Sequence, residues 1–157
     1  MIRQAATQGD FARAGELIEE YIAWLPFDLG FQDFKSELAD LNGHYSAPAG
    51  ALFLAFDESV ESVEAIGTVG IRALQPDVAE LKRMYVLQVG RGLGLGRQLA
   101  ERAVLFARDA GYRSIRLDSD QASMPEANKL YESLGFVDIP GHRANDLPCA
   151  RFMELQL

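Results

Sequence analysis

Glycines at positions 90, 92, 94 and 96 stand directly between a strand-like run, Ala79–Leu87, and a strongly amphipathic helix. Each glycine adds freedom to the unfolded chain and lowers helix propensity, so the cluster needs a physical reason. Close approach of the backbone to a bulky ligand is one such reason. The first turn of a helix presents N–H groups without intrahelical partners at the positive end of its dipole, and so attracts anions. Arg91 and Arg97 add charge-assisted hydrogen bonds. The segment Arg91–Gly96 therefore reads as an anion-binding loop.

Three phosphate-binding patterns compete for it. A Walker-type loop needs Lys-Ser/Thr after its last glycine, whereas Gly96 is followed by Arg97-Gln98. A dinucleotide fingerprint needs Gly-x-Gly-x-x-Gly in a parallel βαβ unit. The glycines here recur every second residue, and the strands before them read as antiparallel. This spacing opposes a nucleotide-binding oxidoreductase. The third pattern, Arg/Gln-x-x-Gly-x-Gly/Ala, is filled by Arg91, Gly94 and Gly96.

The rest of the chain supplies the frame. Ile2–Ala5 reads as a short strand. From Asp10, the apolar residues Phe11, Ala14, Leu17, Ile18, Tyr21, Ile22 and Leu25 recur at helical spacing until Pro26. A shorter helix follows from Gly30 to Leu41, then a loop over Asn42–Gly50. Ala51–Phe56, Val63–Leu74 and Ala79–Leu87 form an antiparallel meander. The long helix runs from Leu93 to Ala110 with the stripe Leu95, Leu99, Ala103, Phe106 and Ala110, and Gly111 stops it. Ser114–Leu117 is a strand. Ser123 with Glu126 forms a capping box that opens a helix to Leu134. Phe136–Ile139 and Ala150–Leu157 close the chain. The order predicts an α/β fold: a central mixed, mostly antiparallel sheet flanked by helices, in a single domain over residues 1–157.

Composition excludes several function classes. Net charge is −8, from 23 acidic and 15 basic residues, and such a surface repels a nucleic-acid backbone. It mildly favours a cationic substrate such as an amine. No apolar run reaches the roughly 20 residues that span a bilayer, and the N-terminus lacks a signal-peptide pattern. A cytoplasmic protein without membrane contact is the expectation. Cys149 is the sole cysteine, so no internal disulfide or Cys-rich metal site is expected. His44 and His142 lie in separate loops, and no metal is expected from them.

The ordered set ELKRMYV, RGLGLGRQL, ARDAGY, IRLD and ANKLYESLGF, over about residues 79–137, resembles the Gcn5-related N-acetyltransferase (GNAT) superfamily. RFMELQL is similar to that family's last strand. The resemblance implies a sheet of six or seven strands with two of them splayed apart, and acetyl-CoA inserted between them. The pantetheine arm would pair with backbone at Met84, Tyr85 and Val86. The pyrophosphate would sit on Arg91, Gly92, Leu93, Gly94, Leu95, Gly96 and Arg97. The implied reaction is transfer of an acetyl group to a primary amine of a small molecule or peptide, by direct attack in a ternary complex. A non-catalytic acyl-CoA-binding regulatory module is the alternative. Homodimers through the C-terminal strands are common among similar proteins.

The resemblance also implies roles. Tyr131, in LYESLGF, matches a tyrosine whose hydroxyl reaches the CoA sulfur and serves as general acid. Glu80, eleven residues before Arg91, matches the general base of histone-acetylating members. Its neighbours Lys82 and Arg83 make a structural ion pair the competing reading. Asp118 or Asp120 would feed a water relay instead. Seven residues before the tyrosine, relatives often carry an asparagine on the cofactor, and this chain has Met124. Asn128 is the nearest asparagine, and Met124 would pack on the pantetheine. Trp24, Phe27, Phe31 and Phe34 read as core, in a region that borders the acceptor pocket in this family.

Overall fold

The computed structural model describes residues 1–28, 33–59, 61, 64–141, 145, 147 and 149–157. After β1 (Ile2–Gln4), Thr7 opens α1 (Gln8–Trp24) with a capping box: its hydroxyl accepts from the Asp10 amide, and the Asp10 carboxylate accepts from the Thr7 amide. Asp10 is also clamped by Arg3, at 2.7 and 2.9 Å. The expected second helix is broken at Asp40 into α2 (Phe34–Ala39) and α3 (Leu41–His44), so part of the predicted loop is helical. Its predicted start at Gly30 lies outside the described residues, as do Phe31, Val63 and His142.

The meander follows as β2 (Ala51–Phe56), β3 (Ala65–Gln75) and β4 (Val78–Val86). Every residue of β2 is buried, because both faces of the sheet are covered. Ala51, Phe53 and Ala55 face one core, and Leu52, Leu54 and Phe56 the other. Then come α4 (Leu95–Asp109), β5 (Ser114–Asp120), α5 (Pro125–Ser133), β6 (Val137–Asp138) and β7 (Ala150–Gln156). The seven strands lie in the order β1-β2-β3-β4-β5-β7-β6. Among the described residues, only the β4–β5 pair is parallel. α1 and α3 cover one face, and α4 and α5 the other.

Three local expectations are corrected. α4 starts at Leu95 rather than Leu93, because Gly94 adopts a left-handed φ of 74° and caps the helix from outside. Its buried stripe is Leu95, Leu99, Ala100, Ala103 and Ala107; Phe106 is half-buried and Ala110 exposed. Small alanines let the helix approach the sheet closely, which a count of large apolar residues overlooks. The Ser123–Glu126 capping box does not form. Met124 is the N-cap and makes no side-chain cap bond. The Ser123 hydroxyl and amide are both held by the Asp120 carboxylate instead, at 2.6 and 2.8 Å.

Two irregularities in β4 position the site. Thr68 pairs with Tyr85 and Gly70 with Lys82, so Arg83 and Met84 oppose the single residue Val69. This bulge, with φ of 57° at Arg83, turns Lys82 and Arg83 toward the same side, where both meet Glu37. Further, β4 pairs with β5 only through Val78, Ala79 and Glu80. Beyond Glu80 the two strands part.

Candidate active site

The fork between β4 and β5 opens into a cavity of about 430 Å³. Leu81–Val86 form one wall, with no strand pairing on the β5 side. Tyr21 and Trp24 of α1 line it from one face of the sheet, and Met124, Ala127, Leu130 and Tyr131 from the other. Arg91 and Gly96 stand at its end. A smaller alcove of about 50 Å³ shares Tyr21, Leu81, Lys82, Arg83, Asp118 and Met124 with it, and adds Phe27, Ser119, Asn145 and Leu147.

The loop at the cavity's end has the features of an anion cradle. Gly92 and Gly94 hold left-handed φ angles of 82° and 74°, which other residues rarely adopt. A side chain at Gly92 would meet nothing within 4 Å, so backbone conformation rather than crowding demands glycine there. The α4 cap has no side-chain hydrogen bond, so the first-turn amides of Leu95, Gly96 and Arg97 point outward without intrahelical partners. Leu93 is exposed on this loop. Arg91 lies over the Trp24 ring, 5.4 Å from its centroid, at the cavity mouth. Arg97 is turned away, toward Glu101 at 3.3 Å and Ser133 at 2.6 Å.

Tyr131 is buried on α5, its ring 5.7 Å from that of Phe136. Removal from water pushes its phenol above the ordinary value, and Tyr21 across the cavity adds to the shift. The hydroxyl therefore keeps its proton through the neutral range. Tyr21 itself is raised by burial, with the Arg83 charge acting in the opposite direction. In the sequence Tyr21 is one more member of the α1 stripe. Only its packing against Tyr85, at 5.6 Å, brings it to the site. Trp24 corrects the core reading more sharply: it is 47% exposed and forms the rim.

The carboxylates separate by position. Asp120 is tied into the turn before α5 by Ser123. Asp118 lines both cavities, with the Asn145 amide 3.3 Å away. Glu80 lies at the closed end of the fork and is absent from the walls of both cavities. It pairs in register with Arg72 and Arg116, and Arg116 with Glu154. The result is a row of alternating charge across four strands, its last step closed at 2.6 Å. Asn128 is buried; its amide donates to the Asp120 carbonyl at 3.1 Å and its oxygen accepts from Ser119 at 2.5 Å. Met124 borders the cavity.

Burial alone would raise the Glu37 carboxyl, but the Arg83 guanidinium, with Lys82 behind it, holds it below the usual range. Nε of Arg83 donates to Glu37 at 2.6 Å, while Lys82 Nζ stands 3.5 Å from the other oxygen. Among the described residues, no group of three or more His, Cys, Asp or Glu is arranged to hold a metal. No helix among them is long and apolar enough to cross a membrane.

A forked sheet with an unpaired strand edge, and a glycine-rich loop at the end of the fork, is the arrangement that the sequence resemblance implies for an acyl-CoA-dependent transferase. The family model described as "Acetyltransferase (GNAT) family" matches residues 16–136, and the chain belongs to that family. An uncharacterized N-acetyltransferase of Schizosaccharomyces pombe is 33% identical over 142 residues, covering 90% of this chain and 85% of that one. An acetyltransferase structure from Streptococcus agalactiae superposes with a TM-score of 0.77 at 23% identity, covering 100% and 98% of the two chains. A Mycobacterium tuberculosis structure, solved in complex with CoA, superposes with a TM-score of 0.75 at 15% identity, covering 100% and 99%. The mixed, mostly antiparallel seven-stranded sheet is thus the fold of GNAT acetyltransferases.

Proposed function

We propose that this enzyme transfers an acetyl group from acetyl-CoA to a primary amine, both substrates being bound together. The single observation that carries this reading is the fork. One long cavity runs from the anion cradle at Arg91 and Gly96, past the open edge of Met84–Val86, to Tyr131, Tyr21 and Asp118. The cofactor fits this chain: the outward amides of α4 suit a pyrophosphate, and the unpaired β4 edge suits the amide groups of a pantetheine arm. Leu93, Gly92 and Gly94 shape the loop, Met124 packs on the arm, and Asn128 holds α5 in place.

When bound, acetyl-CoA supplies an activated acyl carbon. Around it, Asp118 accepts the amine's proton, passing it through water to solvent as the new N–C bond forms. Tyr131 donates a hydrogen bond to the sulfur as the C–S bond breaks, and solvent water, which receives the amine's proton through Asp118, returns one to the leaving thiolate. A phenol raised by burial suits a persistent donor better than a free proton source. Glu80 supports the sheet through its charge row, so its candidacy as base is second to that of Asp118.

Calorimetric titration with acetyl-CoA, followed by thiol release against a panel of primary amines, tests this reading. Binding with amine-dependent release supports it. Binding without release from any amine makes the chain a binding module, and no binding sinks the proposal.

A further inference from the structure

We propose that Tyr21 is the catalytic residue that seats the acceptor: its hydroxyl oxygen accepts a hydrogen bond from the incoming amine and holds the nitrogen at the thioester, opposite Tyr131. The proposal rests on the acetyl-transfer reading above and adds a residue to that same site.

Tyr21 continues the apolar stripe of α1 one turn beyond Leu17 and Ile18, which are fully buried. Its ring lies on Tyr85, a β4 residue past the point where that strand leaves β5. Trp24, three residues on, packs against the same ring at 6.3 Å. The Tyr21 carbonyl accepts from the Leu25 amide at 3.2 Å, which ties the last turn of the helix. A side chain braced by a helix and a strand is placed more sharply than one on a loop.

Packing explains the ring and not the hydroxyl. Phenylalanine would cover Tyr85 equally well without taking a hydroxyl out of water. Burial raises the Tyr21 phenol, so the group is poorly hydrated where it stands. Among the described residues no group hydrogen-bonds this hydroxyl, and its oxygen is not one of the sealed, unpartnered atoms of the interior. It therefore opens onto the space that Tyr21 lines, which is the cavity.

α1 and α5 cover opposite faces of the sheet, and an intact sheet would keep Tyr21 and Tyr131 apart. The fork lets both line one cavity, and the Tyr21 phenol stands close enough to raise that of Tyr131. Tyr131 borders the main cavity alone, whereas Tyr21 borders the main cavity and the alcove. On the acetyl-transfer reading, acetyl-CoA fills the main cavity as far as Tyr131, and the acceptor enters through the alcove. Tyr21 stands where the two meet.

A phenol suits that place. Its oxygen accepts from one N–H of a primary amine and leaves the lone pair to attack. As the N–C bond forms, the nitrogen turns positive and its N–H becomes a stronger donor. The bond to Tyr21 therefore tightens in the transition state. Tyr21 itself neither gains nor loses a proton.

Tyr21→Phe tests the proposal, because it keeps the ring on Tyr85 and removes only the oxygen. Wild type and variant are compared by thiol release from acetyl-CoA with leucine, aspartate, spermidine, benzylamine and a tetrapeptide bearing a free N-terminus. The expected result is a fall in kcat/KM for each accepted amine of about 10- to 100-fold, the range of one charge-assisted hydrogen bond, with the larger part in kcat. Tm and calorimetric affinity for acetyl-CoA should be retained. Amine kinetics at the wild-type level would overturn the proposal, as would a loss of turnover matched by losses of Tm and acetyl-CoA affinity; both outcomes leave acetyl transfer standing. Acetyl-CoA bound by the wild type without release to any of these amines removes the acetyl-transfer reading, and this proposal with it.

Discussion

Arg83 and Glu37, 46 positions apart in the sequence, meet in a buried hydrogen bond of 2.6 Å that ties α2 to the bulge of β4. The bond fixes the strand where it leaves β5, so it bears on both stability and the shape of the fork. Replacing Glu37 by Gln leaves two buried cations without their carboxylate. A loss of about 3–5 kcal/mol is expected in chemical denaturation. Acetyl-CoA affinity should fall with it, since the free edge of β4 is no longer held.

Tyr131 lines the cavity, and its phenol is raised by burial. Tyr131→Phe should lower kcat by roughly 100-fold or more, as expected for loss of a donor aimed at developing charge, with acetyl-CoA affinity nearly unchanged. Because the shift is upward from about 10, the hydroxyl stays protonated below that pH. Any rise of activity between pH 6 and 9 must therefore come from another group, and the Phe variant should keep the shape of the wild-type profile.

Asp118 and Glu80 make opposite claims on that profile. Asp118→Asn should lower kcat and alter its pH dependence, because Asp118 lines the cavity. Glu80→Gln interrupts the row Arg72–Glu80–Arg116–Glu154 and should lower Tm with the profile's shape retained. The reverse pattern in the two variants would return the role of base to Glu80.

Acid should weaken the fold through two carboxylates. The Asp10 carboxyl is held well below the usual range by Arg3 and by the amides of Ala6 and Thr7, and Glu37 is also lowered. A carboxyl whose folded value lies below its unfolded one, about 4, stabilises the protein above that pH and ceases to as pH falls through the folded value. Unfolding free energy should therefore decrease as pH drops below about 4. Asp10→Asn should remove part of that slope and cost about 1 kcal/mol at neutral pH, as for loss of a helix cap.

Trp24 is the sole tryptophan, and Arg91 lies over its ring. A pyrophosphate at the loop would draw the guanidinium off the indole. Intrinsic fluorescence should then change on titration with CoA, and Arg91→Ala should shift the emission of the ligand-free protein and bind CoA more weakly.

Local signals made much of this molecule legible. The four glycines run directly into the amphipathic α4, the block around Tyr131 follows after the one intervening strand β5, and the meaning of each lies in backbone conformation and short-range periodicity. Such properties depend on near neighbours, so the meander, the glycine-rich turn and the family could be read before any tertiary contact was known. The misreadings are equally physical. Ser123 and Glu126 have the spacing of a capping box, but Asp120 competes for Ser123 and wins. Trp24 has the composition of a core residue, yet the helix ends where the cavity begins.

What the sequence determined alone was the order of elements and the glycine-rich turn into α4, since strand alternation, helix periodicity and glycine φ preferences act over a few residues. The tertiary structure decided which side chains share the site. Tyr21, Trp24, Lys82 and Asp118 converge because β4 carries one extra residue and parts from β5 after Glu80. A bulge and a fork are outcomes of pairing between distant strands, and no local pattern in the chain encodes which residues then face one another.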